Sequence, residues 1–341
     1  MKKPTQIESF EALYMLAARD GRGEALFGDS ILQARPAYER MLIGNAYPAV
    51  YLEFPLLGEP GFDLLSVYGR MEPGAVFAEG AGFGYQAMFD WFTGLHNPNK
   101  SVSCGIELDI SSGETERAGV YFQQRRRTEL VGPFLESVGE GARTQSYLDA
   151  LKRMPEGWPP SYVGLFPGRP GTPLRIGGYM AAADHKRCAE NPEYLGECFR
   201  TIGFEAFDAD MLARCARFMQ IAPSIDFQFD IMPDGSLGDT FGLSLSFNET
   251  KPRQAHECME NGYGARLMRL LQDWGLADDR WKLIADAAFA RHVPYEKEDG
   301  SFGRFALCVL FNYAKVKFAN GQARPAKFYF TCKADDLEVE P

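Results

Sequence analysis

The chain has 341 residues, of which 45% are hydrophobic and 24% charged, so it can bury a large core. Its net charge is −10, and its one basic run, at residues 125–127, is too short to form the clustered positive surface that nucleic acid binding requires. No apolar run reaches the roughly 18 residues that span a bilayer. The seven cysteines include no C-x-x-C pair, which is typical of reduced thiols. We therefore expect a cytoplasmic protein that binds neither nucleic acid nor membrane.

In chain order, a helical stretch is followed five times by two strand-like runs joined by a turn. The helical stretches lie at about residues 7–43, 84–94, 128–154, 192–220 and 253–290. The paired runs are 50–57 with 62–70, 104–110 with 117–123, 162–166 with 173–180, 224–232 with 241–248, and 314–318 with 326–333. The turns are rich in Gly, Asn and Pro, which supply the backbone angles that hairpins need.

Ten antiparallel strands in five hairpins, each returning over a helical layer, must protect their edges. Closing the sheet into a barrel removes the edges completely. The pattern therefore predicts an α+β fold, a closed ten-stranded antiparallel β-barrel built from five helix–hairpin repeats with the helices outside. We expect a single domain at residues 1–334, followed by a loose acidic tail at residues 335–341.

The predicted strands separate their side chains into two faces, because successive residues point to opposite sides of a strand. One face is apolar, and the other is polar, charged and rich in tyrosine. A sheet with its polar face in solvent shows the same alternation, but here the helices already cover the apolar face. The polar face is therefore predicted to line a lumen, which a ten-stranded barrel is wide enough to contain.

The predicted lumen carries cations, tyrosines and carboxylates that together suit one kind of chemistry. Buried cations need anionic partners, which are either the lumen carboxylates, as a structural ion-pair network, or a phosphorylated substrate. The cations are Arg70, Arg175, Lys315, Lys317 and Lys327, and the tyrosines are Tyr68, Tyr121, Tyr179 and Tyr329. Bound cations would hold a leaving diphosphate, while aromatic rings would shield an allyl cation from water. Glu53 would then hold or deprotonate the acceptor as a general base.

At this point the chain resembles the ABBA-type aromatic prenyltransferases in the order of its repeats. Arg175 and Tyr179 match the sixth-strand pattern of fungal indole members in spacing, and Lys327-Phe328-Tyr329 looks like their closing Lys/Tyr strand. Glu53 looks like the first-strand glutamate that binds the acceptor N–H. The resemblance implies transfer of a dimethylallyl or geranyl group from its diphosphate to an aromatic or peptide acceptor.

Three strands depart from the family pattern. Gly177 replaces a lysine on the sixth strand, and Gly119-Val120-Tyr121 keeps the tyrosine of a Lys-x-Tyr motif but not its lysine. On the eighth strand, Ser244-Leu245-Ser246 stands where Gln-x-Tyr is usual.

The lumen also contains more carboxylates than the family pattern, namely Glu107, Asp109, Asp226 and Asp230. These groups could recruit Mg²⁺ to help hold a diphosphate, or bind a cationic acceptor such as arginine. Two other functions stay open: a non-catalytic barrel that binds a peptide or small ligand, and a metal-assisted enzyme that tailors peptides.

Overall fold

The computed structural model describes residues 2, 4–17, 22–28, 31–43, 48–69, 77, 82–95 and 102–337. Its helices are α1 (Gln6–Ala17), α2 (Arg22–Phe27), α3 (Ile31–Glu39), α4 (Gln86–Thr93), α5 (Val131–Ser137), α6 (Thr144–Arg153), α7 (Ala182–Glu190), α8 (Pro192–Ile202), α9 (Ala209–Ile221), α10 (Pro252–Glu260), α11 (Tyr263–Asp273) and α12 (Ile284–Ala287). Its strands are β1 (Ala49–Pro55), β2 (Asp63–Tyr68), β3 (Ser103–Asp109), β4 (Glu114–Gln123), β5 (Pro160–Leu165), β6 (Leu174–Tyr179), β7 (Ile225–Ile231), β8 (Leu237–Thr250), β9 (Phe289–Glu296), β10 (Phe302–Ala319), β11 (Gln322–Ala323) and β12 (Lys327–Leu337).

Ten of these strands form a closed antiparallel barrel in the order β10-β12-β1-β2-β3-β4-β5-β6-β7-β8, and pairing of β8 with β10 completes the ring. The two remaining strands are accessory, since β11 pairs with the end of β10 and β9 pairs with its first half. The turns of the five barrel hairpins, β1–β2, β3–β4, β5–β6, β7–β8 and β10–β12, lie at one end of the barrel, because strand direction alternates around the ring. The predicted α+β barrel with helices outside is thus confirmed.

The hydrophobic core forms a shell between the barrel and its helices. Phe54 of β1 is fully buried on the outer face, where the ring of Phe27 from α2 meets it edge-on at a centroid distance of 5.1 Å. On the neighbouring wall, Trp91 of α4 and Phe134 of α5 both contact Phe122 of β4. The apolar strand face therefore packs on helices, which leaves the barrel interior for other residues.

The last repeat differs most from its predicted bounds. Strand β10 begins at Phe302 rather than at 314, because its first half pairs with β9 and only its second half with β8. A register shift between Phe311 and Tyr313 marks the change of partner. Residues 335–337, predicted to begin the loose tail, pair with β10 through Leu337, and residues 338–341 lie outside the described residues. Among the helices that the structure describes, none is long and apolar enough to cross a membrane.

Candidate active site

The barrel contains a cavity of about 150 Å³ whose walls carry most of the predicted lumen groups. Five tyrosines, which we call the aromatic chamber, line it: Tyr51, Tyr121, Tyr162, Tyr313 and Tyr329. Four ionisable groups on different strands, Glu53, Glu107, Asp226 and Lys315, also face this space. Glu53, Glu107 and Lys315 also line a second cavity of about 100 Å³, so the two cavities adjoin and form one lumen.

The second cavity is cationic and lies toward the hairpin turns. Six residues, which we call the cationic mouth, supply its positive charge: Arg169, Arg175, Lys315, Lys317, Arg324 and Lys327. Arg169 projects from the turn between β5 and β6, and Arg324 from the segment between β11 and β12. The lumen therefore has a charged end near the turns and an aromatic interior beyond it.

Two arginines of the cationic mouth form bidentate ion pairs. The Arg175 guanidinium donates to both oxygens of Asp230, at 2.7 and 3.1 Å. Arg169 donates to both oxygens of Asp109, at 2.8 and 2.6 Å, and also contacts the carboxylate of Glu107. Such paired bonds fix each guanidinium in place as well as neutralising it. The predicted internal ion-pair network thus exists for these arginines.

Lys327 connects two carboxylates that lie opposite each other on the neighbouring strands β1 and β2. Its Nζ lies 2.5 Å from Glu53 Oε1 and 3.1 Å from Asp63 Oδ2. Burial disfavours the charge on Glu53, but Lys327 and Lys315 outweigh that effect and hold the pKa of this carboxyl below its usual range. Glu53 is therefore ionised at neutral pH, as a hydrogen-bond acceptor or base must be.

Lys315 and Lys317 differ from the other cations, since neither forms a salt bridge with a carboxylate in the part of the chain that the structure describes. Lys315 donates to the Tyr329 hydroxyl at 3.3 Å. Burial, with repulsion from Arg175, lowers the pKa of Lys315 to about 7 and that of Lys317 to about 8. A buried cation with a lowered pKa favours an added anion, because the anion restores the charged form.

An aromatic group connects the cationic mouth to the chamber. The guanidinium carbons of Arg169 and Arg175 lie 3.9 and 4.4 Å from the centroid of the Phe166 ring. Tyr121 meets the edge of Phe166 at 5.2 Å and that of Tyr162 at 5.6 Å. The ring system is held by cation–π and edge-to-face contacts, which fix its orientation beside the charged groups.

These rings explain why glycines occupy positions 119 and 177, where the pattern that the sequence resembles has lysines. A Cβ built at Gly177 would lie 2.1 Å from the Tyr162 ring, and one built at Gly119 would lie 2.8 Å from the Phe166 ring. Neither position has space for a side chain, because aromatic rings from β5 and the turn after it occupy that space. Arg169 follows Phe166 in the same turn and brings a cation to this wall.

Sequence reasoning missed Tyr162, Phe166 and Arg169. The register of β5 is irregular between Pro160 and Tyr162, so simple alternation does not give its inward face. Phe166 and Arg169 lie in a turn, where the strand period does not apply. Gly119 and Gly177 were the sequence signal for these rings, since small residues on one strand often face large residues on the next.

Most predicted site residues do meet in the lumen. Those that line it are Glu53, Glu107, Tyr121, Arg175, Asp226, Lys315, Lys317, Lys327 and Tyr329. Asp109 and Asp230 lie behind the two arginines with which they pair. Tyr179 lies at the end of β6 and is 39% exposed, so it is a rim residue. Arg70 lies outside the described residues.

The placement of Tyr68 in the lumen is wrong. Tyr68 is 2% exposed, donates to the carbonyl of Met41, and meets the Phe89 ring edge-on at 5.2 Å on the helical side. Leu65 and Val67 line the cavity instead. The segment Leu64-Leu65-Ser66-Val67 places apolar residues on both faces, so hydrophobicity could not select the inner one.

The lumen carboxylates do not form a dedicated metal site. Among the described residues, no group of three or more His, Cys, Asp or Glu side chains could hold a metal ion. Glu107, Asp109 and Asp230 bind arginines, and Asp226 forms a hydrogen bond with Tyr313. These residues do not fit a protein-bound Mg²⁺, because their oxygens are already engaged by arginines and a tyrosine hydroxyl.

The barrel has the fold of known aromatic prenyltransferases over nearly its whole length. The crystal structure of the prenyltransferase PriB with product diphosphate matches 97% of this chain and 96% of its own, with a TM-score of 0.51 at 13% identity. The PriB ternary complex with L-tryptophan and dimethylallyl thiolodiphosphate matches the same shares, with a TM-score of 0.52 at 11% identity. No family model and no curated protein sequence matches the chain.

Proposed function

We propose that this protein is a prenyltransferase that moves a dimethylallyl or geranyl group from its diphosphate to an aromatic or peptide acceptor inside the barrel. The observation that carries the proposal is the pair of lysines, Lys315 and Lys317, which have no carboxylate salt bridge in the described chain and sit where a cationic mouth opens into an aromatic chamber. The PriB structures with the same fold hold diphosphate, or a thiolodiphosphate donor and tryptophan.

The donor diphosphate binds at the cationic mouth. Lys315 and Lys317 pair with its oxygens, while Arg169 and Arg175, already neutralised by their carboxylate partners, hold the wall behind them in place. Negative charge develops on the leaving diphosphate as the allylic C–O bond breaks. Groups held in place before the reaction stabilise that charge most in the transition state, because they need no reorganisation.

The allyl cation forms at the boundary between the mouth and the aromatic chamber. Tyr121 and Tyr329 present rings there, and cation–π attraction stabilises a positive charge near such faces. The surrounding barrel limits the access of water, which would otherwise capture the cation as an alcohol.

Glu53 lies at the same boundary, since it lines both cavities. Its ionised carboxylate accepts a hydrogen bond from an acceptor N–H and so directs the aromatic ring toward the cation. The acceptor carbon bonds to the allyl cation, and that carbon then loses its proton to a base. Glu53 is the base positioned to accept this proton.

The proposal includes a cytoplasmic location, which is supported by seven free cysteines, six of them buried. Donor binding is measured with and without Mg²⁺, because a diphosphate can carry the ion into the site.

The decisive experiment is calorimetric titration with dimethylallyl thiolodiphosphate, with and without Mg²⁺. We expect binding that weakens about 10-fold or more in the Lys317→Met variant, since hydrogen bonds to charged groups contribute about 1.5–3 kcal/mol. Lys152→Met, on the exposed surface of α6, is the matched control and should bind normally. Prenylated product is then sought with indole and peptide acceptors and dimethylallyl diphosphate.

If the wild-type protein binds no allylic diphosphate in either condition, the proposal is wrong and the barrel serves another ligand. Tight donor binding with no product from any acceptor would support the alternative of a non-catalytic binding barrel.

A further inference from the structure

Asp226 is unlike the other lumen carboxylates. Glu53 and Asp63 share Lys327, Glu107 and Asp109 share Arg169, and Asp230 binds Arg175. Asp226 lines the larger cavity without a lysine or arginine partner among the described residues, and its hydrogen bond comes from Tyr313. A carboxylate withdrawn from water needs compensation, and here the protein's own cations do not provide it.

The surroundings of Asp226 suit a cation. Tyr313 and Tyr162 line the cavity beside it, and the Tyr162 hydroxyl donates to Gln228 Oε1 at 3.1 Å. Aromatic faces next to a carboxylate form a recurrent environment for ammonium and guanidinium groups, because both attract positive charge. Burial raises the pKa of Asp226 to about 7, opposed by the Tyr313 hydrogen bond, so a bound cation would also favour ionisation of this carboxyl.

The position of Asp226 along the barrel fixes the direction in which an acceptor would lie. Asp226 and Asp230 are four residues apart on β7, which corresponds to about 13 Å along a strand. Asp230 belongs to the cationic end through Arg175, whereas Asp226 lies at the far end of the same wall. Glu53 on β1 faces the same cavity from a wall four strands away through β12, β10 and β8. A cationic substituent is repelled by the mouth and attracted to Asp226.

We infer that the acceptor carries a protonated amine and that Asp226 binds this amine, with Tyr162 and Tyr313 flanking it, which orients the aromatic ring toward Glu53 and the donor. This inference rests on the proposed function for the direction of the ring, but the amine site itself does not depend on prenyl transfer. Asp226 is thus a residue that determines acceptor specificity.

The test compares two ligands that share an indole ring and differ in charge, tryptamine and 3-propylindole. Their dissociation constants are measured by calorimetry in the presence of dimethylallyl thiolodiphosphate. We expect the wild-type protein to bind tryptamine about 10- to 100-fold more tightly, the range expected for a charge-assisted hydrogen bond. The Asp226→Asn variant should lose that preference while its affinity for 3-propylindole is unchanged. Asp149→Asn, on exposed α6, is the matched control.

If Asp226→Asn fails to fold, a measurement on protein that retains Asp226 tests the same inference. Binding of tryptamine at pH 7 should release protons from Asp226. The release is measured by comparing the binding enthalpies obtained in buffers of different ionisation enthalpy. The groups that face this wall are Tyr162 on β5, Tyr179 on β6, Ser244 on β8, and Tyr313 and Lys315 on β10. Of these, Lys315 also titrates near pH 7, so the measurement is repeated in Lys315→Met.

Equal binding of both ligands by the wild-type protein, or a preference that persists in Asp226→Asn, overturns the inference. So does tryptamine binding without proton release in Lys315→Met. Donor binding is measured separately in Asp226→Asn and should be retained. If no diphosphate binds while tryptamine binding still requires Asp226, the proposed function fails and the amine site stands.

Discussion

The guanidinium of Arg175 and the carboxylate of Asp230 form a two-bond ion pair across β6 and β7, and Arg175 is only 2% exposed. The pair lies at the cationic mouth but is internally compensated. Removing Arg175 therefore tests the stability of the barrel as well as its affinity for a diphosphate, which is why Lys317 is the better residue for the donor experiment.

We expect Arg175→Ala to lower the free energy of unfolding by about 3–5 kcal/mol, because Asp230 would be left as an uncompensated buried charge. Urea unfolding followed by circular dichroism measures the change. In the double variant Arg175→Met/Asp230→Leu the loss should be much smaller, since neither charge remains. An Arg175→Ala variant as stable as the wild type would show that water reaches Asp230.

Glu53→Gln should reduce the rate of prenyl transfer at saturating donor by about 10²–10⁴-fold, because a general base acts on the acceptor. Its effect on donor affinity should be smaller, since Lys327 keeps Asp63 as a partner. Single-turnover product formation and donor titration separate the two effects. Glu116→Gln, at an exposed position on β4, controls for loss of charge. Equal losses in donor affinity and rate would assign Glu53 to positioning Lys327 instead.

Donor affinity should fall as the pH rises above neutrality. The free protein holds Lys315 with a pKa of about 7 and Lys317 with a pKa of about 8, lowered by burial and Arg175 and partly restored by Glu53 and Asp230. A bound diphosphate raises both pKa values, so the complex holds more protons and binding weakens from about pH 7 to 9. Titrations across this range check the slope, which should be shallower in Lys317→Met. A pH-independent affinity would contradict the placement of the diphosphate.

Tyr68→Phe should leave prenyl transfer unchanged and lower stability by about 0.5–1.5 kcal/mol, because it removes one buried hydrogen bond to the Met41 carbonyl. Tyr121→Leu, within the aromatic chamber, should instead slow transfer by removing a ring beside the allyl cation. Rates and unfolding curves of the two variants are compared. A large rate loss in Tyr68→Phe would show that Tyr68 contributes to the reaction from the lumen.

Gly177→Ala should destabilise the protein by about 1–3 kcal/mol, the usual effect of overpacking, because the new methyl group meets the Tyr162 ring. Combining it with Tyr162→Ala should recover part of the loss. At Gly61 a Cβ would meet Ser111 at an ordinary 3.6 Å, so Gly61→Ala is the control for the loss of a glycine. If Gly177→Ala is neutral, the Tyr162 ring is free to move.

The inward face of β7 shows what alternation can and cannot supply. Asp226, Gln228 and Asp230 were predicted to share the lumen, and they do line or border it. Their sequence spacing could not show that Asp230 would bind Arg175 while Asp226 would not bind any lysine or arginine in the described chain. Partners of this kind come from other strands, so they depend on register.

By itself, the sequence determined the barrel, because turn residues and two-residue alternation are local signals repeated five times. It also determined most of the lumen cations and carboxylates, since charge on one strand face is visible without a structure. Only the tertiary structure showed which face of β2 points inward, since Leu65 and not Tyr68 lines the lumen. It also showed that Phe166 and Arg169 reach the lumen wall from a turn. These outcomes depend on cross-strand register and on the space left by glycines, which are set by residues far apart in the chain.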